Sequence, residues 1–500
     1  MEQSSIPIEV FLLRAEKSPD ATALIFPDRD LVLTYAELRD RAQRMAAVMQ
    51  ARGVSRGDLV LAVTDRSPDF CAAVWGAWLC GAAAAMLSVD AASDECRWAL
   101  DLTQPAVVVG SGDWLRARLP GLPENQLIDT DNPLADVPAP LTPSLPAPDD
   151  PALIMFTSGT TGEPKGVVQS QRAVHASMSN CVRHFAFAEG AVMLSLLPHS
   201  HTHGLLMTLL SPVYYGGAVV VDKAFDAFGA ARFWELVDRY RINHFSSVPG
   251  ILELLAGMRG RIENVRGDSL RFAFCASAPL GAELRRWWRN EAGCPIADNY
   301  GLTEVASWVT YGSFDADQPE STVGRPDGMV VEIIDENGRV LPAGQSGEVI
   351  VRGTQTMSGY LNDSARTAQV LRDGAIYTGD LGLLDEQGWL RLIGRIKEII
   401  NVSGQKVGPI ELERFVRDIP GVAEVAAFPY PDAHYGEVPA LAVVPDGAPP
   451  TLAEVRAALS DKLAAYKLPR KLFVVDLLPK NKLGKIKRGE LAEMLVSRST

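Results

Sequence analysis

The sequence carries, between residues 156 and 166, the stretch Phe156-Thr157-Ser158-Gly159-Thr160-Thr161-Gly162-Glu163-Pro164-Lys165-Gly166. Its three glycines let successive backbone N–H groups converge on an anion. Four hydroxyl side chains add further donors, and Lys165 adds a positive charge. The apolar run at 152–156 predicts a buried strand that leads into the loop. The stretch differs from a Walker A sequence, in which Lys-Ser/Thr follows a glycine, so it predicts a phosphate-binding loop of another kind.

The composition is that of a soluble globular protein with more than one domain. The 500 residues are 47% hydrophobic and 22% charged. The net charge of −13 and the lack of a basic run exclude a nucleic-acid footprint, and no apolar stretch has the length of a membrane span. Six scattered cysteines without a C-x-x-C pair argue against a disulfide framework or a zinc ribbon. The first residues lack a basic region followed by an apolar core, so we expect no signal peptide and a cytoplasmic location.

Residues 31–64 alternate between two kinds of secondary structure. The apolar runs at 31–33 and 59–63 predict strands. Between them, Thr34 and Glu37 have the spacing of a capping box, and apolar residues at helical spacing follow. This order of strand, helix and strand predicts a doubly wound α/β layer.

The chain changes character in its last third. Between 320 and 395, short β runs such as 330–334 are separated by Gly, Asp and Asn turns, which predicts an antiparallel sheet or small barrel. Helices and strands then mix over about a hundred residues, the size of a small separate domain. We therefore predict an α/β fold in two domains. Residues 1–395 hold doubly wound sheets and a small β-barrel-like subdomain, and residues 396–500 form a small, mobile α+β domain.

Five further segments follow the loop, and each contains side chains suited to chemistry on a nucleotide or an acid. They are Pro198-His199-Ser200-His201-Thr202-His203-Gly204, Ala276-Ser277-Ala278-Pro279, Asn299-Tyr300-Gly301-Leu302-Thr303-Glu304, the pair Tyr377-Thr378-Gly379-Asp380 and Gly394-Arg395-Ile396-Lys397-Glu398, and Pro479-Lys480-Asn481-Lys482-Leu483-Gly484-Lys485-Ile486-Lys487-Arg488. With the first loop, their order and spacing resemble the adenylate-forming superfamily. This superfamily includes acyl- and aryl-CoA synthetases, peptide-synthetase adenylation domains and luciferases. The resemblance covers the chain from about residue 30 to about residue 490.

The resemblance implies a reaction in two halves. A carboxylate attacks the α-phosphate of ATP, in the presence of Mg²⁺, and gives an acyl adenylate and pyrophosphate. The thiol of CoA or of a carrier-protein phosphopantetheine then displaces AMP. Cations and fixed donors must stabilise the negative charge on the equatorial oxygens of phosphorus during the first half.

The resemblance also implies which residues would bind the nucleotide. The first loop would grip the β- and γ-phosphates through Thr157, Ser158, Gly159, Thr160, Thr161, Gly162 and Lys165. The adenosine would contact Ser277, Ala278, Pro279, Asn299, Tyr300, Asp380, Leu392 and Arg395. Thr303 would donate to the α-phosphate, and Glu304 would bind Mg²⁺, a cation that prefers oxygen ligands.

Three implied roles fall near or within the last hundred residues. Lys485, directly after Gly484, matches the family's catalytic lysine and would bridge the carboxylate and the α-phosphate. Lys397 matches the hinge about which the C-terminal domain rotates, and Gly404 would line the thiol tunnel. The alternative interpretation of the lysines around Lys485 is a solvated tail.

The acyl pocket implied by the resemblance takes residues from several segments, and His201 occupies a position where the family often has a histidine. The pocket residues are His203, Gly204, Val248, Cys275, Gly301, Val305 and Trp308. The alternation of His199, His201 and His203 is open to a second interpretation, because on a strand the three side chains would face one way and suit a metal ion.

The acid itself is constrained only in part. No carboxylate follows His203 between 204 and 210, and an unpaired buried ammonium is costly, so we exclude a free α-amino acid. An apolar fatty, branched or aromatic acid fits better, and His203 would pair with a polar substituent if the acid carries one. The sequence departs from the family pattern at Gln171, where histidine is common, at Ser277, where glycine is usual, and at Glu398, where aspartate is usual.

Several functions remain open on the sequence alone. The acceptor is CoA, which we favour, or a separate carrier protein. A luciferase-like oxygenase uses the same adenylate, whereas a non-catalytic nucleotide sensor is expected to lose Lys485 or Glu304, and the chain has both. Homodimerisation also remains open.

Overall fold

The computed structural model describes residues 6–131, 143–158, 164–185, 187, 190–225, 227–259, 267–278, 280–315, 318–403, 405–480 and 486–497. In chain order the strands are β1 (Thr22–Phe26), β2 (Leu31–Thr34), β3 (Leu59–Val63), β4 (Ala83–Leu87), β5 (Val107–Gly110), β6 (Leu127–Asp129), β7 (Pro151–Ser158), β8 (Pro164–Ser170), β9 (Val192–Ser195), β10 (Ala218–Val221), β11 (His244–Ser247), β12 (Phe272–Cys275), β13 (Ile296–Asp298), β14 (Tyr300–Leu302), β15 (Ser307–Tyr311), β16 (Arg325–Pro326), β17 (Val330–Ile334), β18 (Gly347–Arg352), β19 (Gly359–Tyr360), β20 (Leu371–Arg372), β21 (Ala375–Leu384), β22 (Leu390–Arg395), β23 (Ile400–Val402), β24 (Gln405–Val407), β25 (Val422–Asp432), β26 (Gly436–Pro445) and β27 (Lys471–Val474).

The α-helices are α1 (Pro7–Lys17), α2 (Tyr35–Ala51), α3 (Pro68–Leu79), α4 (Ser93–Thr103), α5 (Gly112–Arg118), α6 (Gln171–Phe185), α7 (Ser211–Tyr215), α8 (Ala227–Tyr240), α9 (Pro249–Arg259), α10 (Ala282–Asn290), α11 (Ser364–Val370), α12 (Pro409–Arg417), α13 (Leu452–Leu459) and α14 (Arg488–Ser497). A π-helix covers His203–Leu210. None of the helices described is long and apolar enough to cross a membrane.

The start of α2 confirms the predicted capping box. The Thr34 hydroxyl accepts from the backbone N–H of Glu37 at 3.2 Å, and the Glu37 carboxylate accepts from the backbone N–H of Thr34 at 2.8 Å. Two orphan donors of the first turn are therefore satisfied by the chain's own side chains.

Two seven-stranded sheets form the body of the chain. The first has the order β19-β8-β7-β4-β3-β5-β6, and next to its edge strand β19 lies the antiparallel β7–β8 hairpin that carries the predicted phosphate loop. The second has the order β13-β12-β11-β9-β10-β1-β2 and is parallel except for its edge strand β2. In a parallel sheet the carboxyl ends of neighbouring strands meet at one edge, which is where such sheets bind ligands. In this chain Ser247, Cys275 and Asp298 end three neighbouring strands at that edge.

Antiparallel sheets follow, as the sequence predicts between 320 and 395. One has the order β14-β15-β16, and the other has the order β17-β18-β21-β20, with β22 paired to β21. Register shifts between Glu348 and Ile350 and between Leu381 and Gly382 mark irregularities that bend this sheet. The α/β fold class with a curled β subdomain is therefore confirmed.

The C-terminal α+β domain is built on the sheet β24-β23-β26-β25, to which β27 adds in parallel. Its helix α14 begins at the buried Arg488, which donates to both carboxylate oxygens of the buried Glu413 at 2.8 Å. Arg488 also pairs with Glu398 at 2.9 Å, in the short turn that joins this domain to the preceding sheet. Contacts to the larger domain include the ion pair Lys406–Glu336 at 2.6 Å.

Candidate active site

The β7–β8 hairpin places the first and the last of the predicted phosphate ligands opposite one another. Thr157 and Lys165 are register partners at the end of the hairpin where its two strands are connected, and the buried Thr157 hydroxyl has no hydrogen-bond partner within the described chain. The Lys165 ammonium lies 3.3 Å from a carboxylate oxygen of Glu304 and 2.5 Å from the Tyr360 hydroxyl. The side chain of Ser158 and the loop residues Gly159, Thr160, Thr161 and Gly162 lie outside the described part of the structure.

The segment from Tyr300 to Glu304 is held close to the backbone of β15. A Cβ atom at Gly301 would lie 1.6 Å from the carbonyl oxygen of Ser307, so only glycine fits there. The Thr303 carbonyl accepts from the Gln169 side chain at 2.5 Å, which ties the turn to β8. These contacts hold the turn that presents Glu304 to Lys165.

The other end of the segment meets the predicted ribose ligand. The Tyr300 hydroxyl donates to Asp380 at 2.5 Å, and Arg395 pairs with the other oxygen of Asp380 at 2.8 Å. Burial, the largest single influence, opposes the charge of Arg395, but the nearby acidic groups, Asp380 foremost among them, together outweigh burial and raise the pKa of Arg395. Leu392, half-buried on the same strand as Arg395, packs against the core that contains Tyr300. The structure therefore brings Tyr300, Asp380, Leu392 and Arg395 together.

The predicted adenine segment shows one strained residue. Ser277, which stands where the family usually has glycine, has a φ of 76°, in the left-handed region that costs a side chain about 1–2 kcal/mol. Its neighbour Ala278 is half-buried, and Pro279 lies outside the described residues. Asn299 accepts from the backbone N–H of Gly312 at 2.8 Å, while its buried side-chain nitrogen lacks a partner in the described structure.

Two of the predicted acyl residues, His203 and Trp308, form an aromatic pair near the edge where β11 and β12 end. His203 begins the π-helix and meets Trp308 edge to face, with ring centroids 5.2 Å apart. The Nε2 atom of His203 lies 2.6 Å from the Ser246 hydroxyl. Both His203 Nδ1 and the indole nitrogen of Trp308 are buried, and neither has a hydrogen-bond partner among the described residues.

The rest of the predicted acyl set lies on or beside strands β11, β12 and β14 and at the start of the π-helix. Gly204 must be glycine, because a Cβ atom there would lie 2.1 Å from the carbonyl oxygen of Pro198. Cys275 ends β12 and Gly301 lies on β14, whereas Val305 follows in the next turn. Val248 is buried directly after β11. All of these residues are buried or half-buried.

The three alternating histidines do not lie on a strand. His199 stacks on Phe70 and contacts the Ser195 hydroxyl at 2.9 Å, in the core. His201 is half-buried, and His203 faces Trp308. No cluster of three or more metal-ligating side chains occurs among the residues that the structure describes. A shared metal site at these histidines therefore gains no support.

The residues predicted on the C-terminal side are placed only in part. Lys397 lies in the turn Ile396–Glu398, between β22 of the larger domain and β23 of the smaller one. Gly404 and Lys485 lie outside the described residues.

Sequence reasoning missed Gln169, Ser246 and Tyr360, which contact predicted site residues. Tyr360 lies 195 positions from Lys165 and 56 from Glu304, so no local spacing reports its contacts. Only its pairing with β8 brings it to the site.

Comparison with known proteins identifies the family. A family model described as AMP-binding enzyme matches residues 11–361, and one described as AMP-binding enzyme C-terminal domain matches residues 411–485. The chain belongs to the AMP-binding enzyme family. It is an acid–thiol ligase, as are its named relatives.

Relatives match over nearly the whole chain. An oxalate–CoA ligase of Arabidopsis thaliana is 30% identical over 497 residues, covering 96% of this chain and 96% of the relative. A sulfoacetate–CoA ligase of Cupriavidus necator is 30% identical with the same coverage. The crystal structure of ATP-bound MatB from Rhodopseudomonas palustris superposes with a TM-score of 0.89 at 28% identity, covering 99% of this chain and 100% of that one.

The buried His203 makes the stability of the chain depend on pH. Burial lowers its pKa to about 3, whereas the unfolded chain binds this proton at about 6.5. Its contribution is therefore present above pH 6.5 and is lost as the pH falls toward 3. We expect His203→Gln to reduce the loss of unfolding free energy between pH 7.5 and pH 5 by about 2 kcal/mol, measured by urea denaturation. An equal loss in the variant and the wild type contradicts the assignment.

Proposed function

We propose that this chain is an ATP-dependent acyl- or aryl-CoA ligase that activates its acid as an acyl adenylate. The observation that carries the proposal is that one short segment, residues 300–304, contacts two of the predicted nucleotide-binding residues. Through Glu304 it meets Lys165 at 3.3 Å, and through Tyr300 it meets Asp380 at 2.5 Å. A phosphate ligand and a ribose ligand are thus joined by five residues, which suits a nucleotide lying along them.

Each part of ATP, from the ribose to the outer phosphates, has candidate binding residues at this site. Asp380 would accept from the ribose hydroxyls, and Arg395, already paired with it, would lie beside the ribose and phosphates. Lys165 would bind the outer phosphates, with Thr157 and the loop, and Thr303 would donate to the α-phosphate. The hydroxyl of Thr157, which has no partner among the residues that the structure describes, is available for such a contact.

The same site suits Mg²⁺ as a partner of the nucleotide. Mg²⁺ is commonly held by one or two carboxylates together with substrate phosphates, and Glu304 offers one carboxylate beside Lys165. When bound, the ion would neutralise part of the phosphate charge. The protein's own residues would orient the phosphates and hold the acid in line.

The proposed reaction has two steps. A carboxylate oxygen of the acid forms a bond to the α-phosphorus, the bond from that phosphorus to the α,β-bridging oxygen breaks, and pyrophosphate leaves. The sulfur of CoA then bonds to the acyl carbon, the carbon–oxygen bond to AMP breaks, and the thiol proton passes to solvent. Lys485, in the C-terminal domain that we place at 396–500, would stabilise the first step, and rotation at Lys397 would bring Gly404 in for the second.

The pair formed by His203 and Trp308 favours an acid that carries a hydrogen-bond acceptor away from its carboxylate. The indole N–H of Trp308 can only donate. Within the described part of the chain it has no hydrogen-bond partner, and its ring lies beside the ring of His203. A buried donor without a partner is costly, so a ligand that accepts from it gains affinity. Oxalate and sulfoacetate, the acids of two relatives, each carry a second acidic group. CoA is the acceptor in both relatives' names, which favours CoA over a carrier protein.

Lys485 separates the two half-reactions. Because its charge would stabilise the phosphorus transition state alone, we expect Lys485→Ala to slow acyl-AMP formation by about two orders of magnitude or more. Thioester formation from supplied acyl-AMP should proceed near the wild-type rate. The measurement is acid-dependent pyrophosphate release beside CoA-dependent release of AMP. Equal losses in both assays would assign Lys485 a structural role.

Matched acids test the acyl end. Malonate, succinate and ferulate are compared with propanoate, butanoate and cinnamate, which lack the distant acceptor. We expect Trp308→Phe to lower kcat/KM for preferred acids that carry the acceptor by about tenfold, the value of about one hydrogen bond, and for the others by less than about twofold. The control is Trp389→Phe, since Trp389 is equally buried and its indole nitrogen also lacks a partner in the described chain. Equal losses for both members of each pair contradict the acceptor proposal.

A further inference from the structure

The hydroxyl of Tyr360 joins the two charged side chains beside the phosphate loop. It donates to Oε1 of Glu304 at 2.8 Å and accepts from the Lys165 ammonium at 2.5 Å. The ammonium also lies 4.0 Å from the centre of the Tyr360 ring. We propose that Tyr360 is a positioning residue that aims the Glu304 carboxylate and the Lys165 ammonium for Mg-ATP.

The backbone fixes Tyr360 in this position. Strand β19 pairs with β8, so that Tyr360 faces Val167, two residues from Lys165 on the same strand. The backbone N–H of Tyr360 donates to the hydroxyl of Thr367, within α11, at 2.9 Å. Strand β8 and helix α11 therefore hold the backbone of Tyr360, and from there the side-chain hydroxyl reaches Glu304.

Both charged partners of the Tyr360 hydroxyl are partly shielded from water, which strengthens their hydrogen bonds to it. The side chains of Lys165 and Glu304 are 19% and 17% exposed. A hydrogen bond to a charged group in such surroundings is stronger than one in open solvent.

The need for this donor arises when the nucleotide binds. This step depends on the proposed function, in which Lys165 turns to the phosphates and Glu304 faces the metal ion. Glu304 then loses its contact with the ammonium, and the Tyr360 hydroxyl remains to fix the orientation of its carboxylate. Tyr360 would touch neither phosphate nor acid, so it acts through Glu304 and Lys165.

A double-mutant cycle on the full-length enzyme tests the inference. The four proteins are the wild type, Tyr360→Phe, Glu304→Gln and the double variant, and the readouts are the KM for Mg-ATP, the Mg²⁺ concentration for half-maximal rate and the KM for the acid. We expect Tyr360→Phe to raise the first two by about tenfold and the third by less than about twofold. In the Glu304→Gln background, the same change should have less than about a twofold effect, because the partner's charge is gone.

The control is Tyr311→Phe, which removes a buried hydroxyl that has no partner among the described residues. It should leave all three readouts within about twofold, and thermal unfolding of each protein without ligands shows whether packing is retained. An equal effect of Tyr360→Phe in both backgrounds, or no effect on the KM for Mg-ATP, overturns the inference alone. An unchanged Mg²⁺ dependence in Glu304→Gln overturns both the inference and the proposed role of Glu304.

Discussion

The close approach of two backbone segments at Gly301 governs the geometry of the site. A side chain at this position would lie 1.6 Å from the carbonyl oxygen of Ser307, so the segment can pass only as glycine. The passage sets Tyr300 against Asp380 at one end and Glu304 against Lys165 at the other. If the two backbone segments lay further apart, these contacts would separate. The residues that we propose bind the nucleotide would then no longer lie along one line.

Charge pairing explains how an acidic chain can hold a polyanion. The net charge is −13, yet the two site cations that the structure describes already have carboxylate partners: Lys165 pairs with Glu304, and Arg395 pairs with Asp380. The pairs keep the cations oriented in a partly buried setting before the nucleotide arrives. Once Lys165 has turned to the bound phosphates, charges held in this setting need little further reorganisation during the reaction, which is the usual source of electrostatic catalysis.

The sequence predicted what depends on local order. The capping box of Thr34 and Glu37, the strands that became β3 and β7, and the family motifs are all short patterns, and the structure confirms the elements. Short patterns could not predict the contact of Tyr360 with Lys165. The two residues are 195 positions apart, and strand pairing brings them together. The histidine alternation also misled one interpretation, since the π-helix that begins at His203 overrides the strand periodicity. The left-handed backbone of Ser277 was likewise hidden, because the sequence shows only that a glycine is missing.

The proposed function depends on activation of the acid as an acyl adenylate. The direct measurement uses a carboxylic acid labelled with ¹⁸O in both carboxylate oxygens, incubated with ATP, Mg²⁺, CoA and the enzyme. We predict that AMP carries one ¹⁸O atom, because a carboxylate oxygen bonds to the α-phosphorus and stays there when sulfur takes the acyl group. Label in inorganic phosphate, with ADP as the nucleotide product, would contradict activation as an adenylate, because it shows activation through an acyl phosphate.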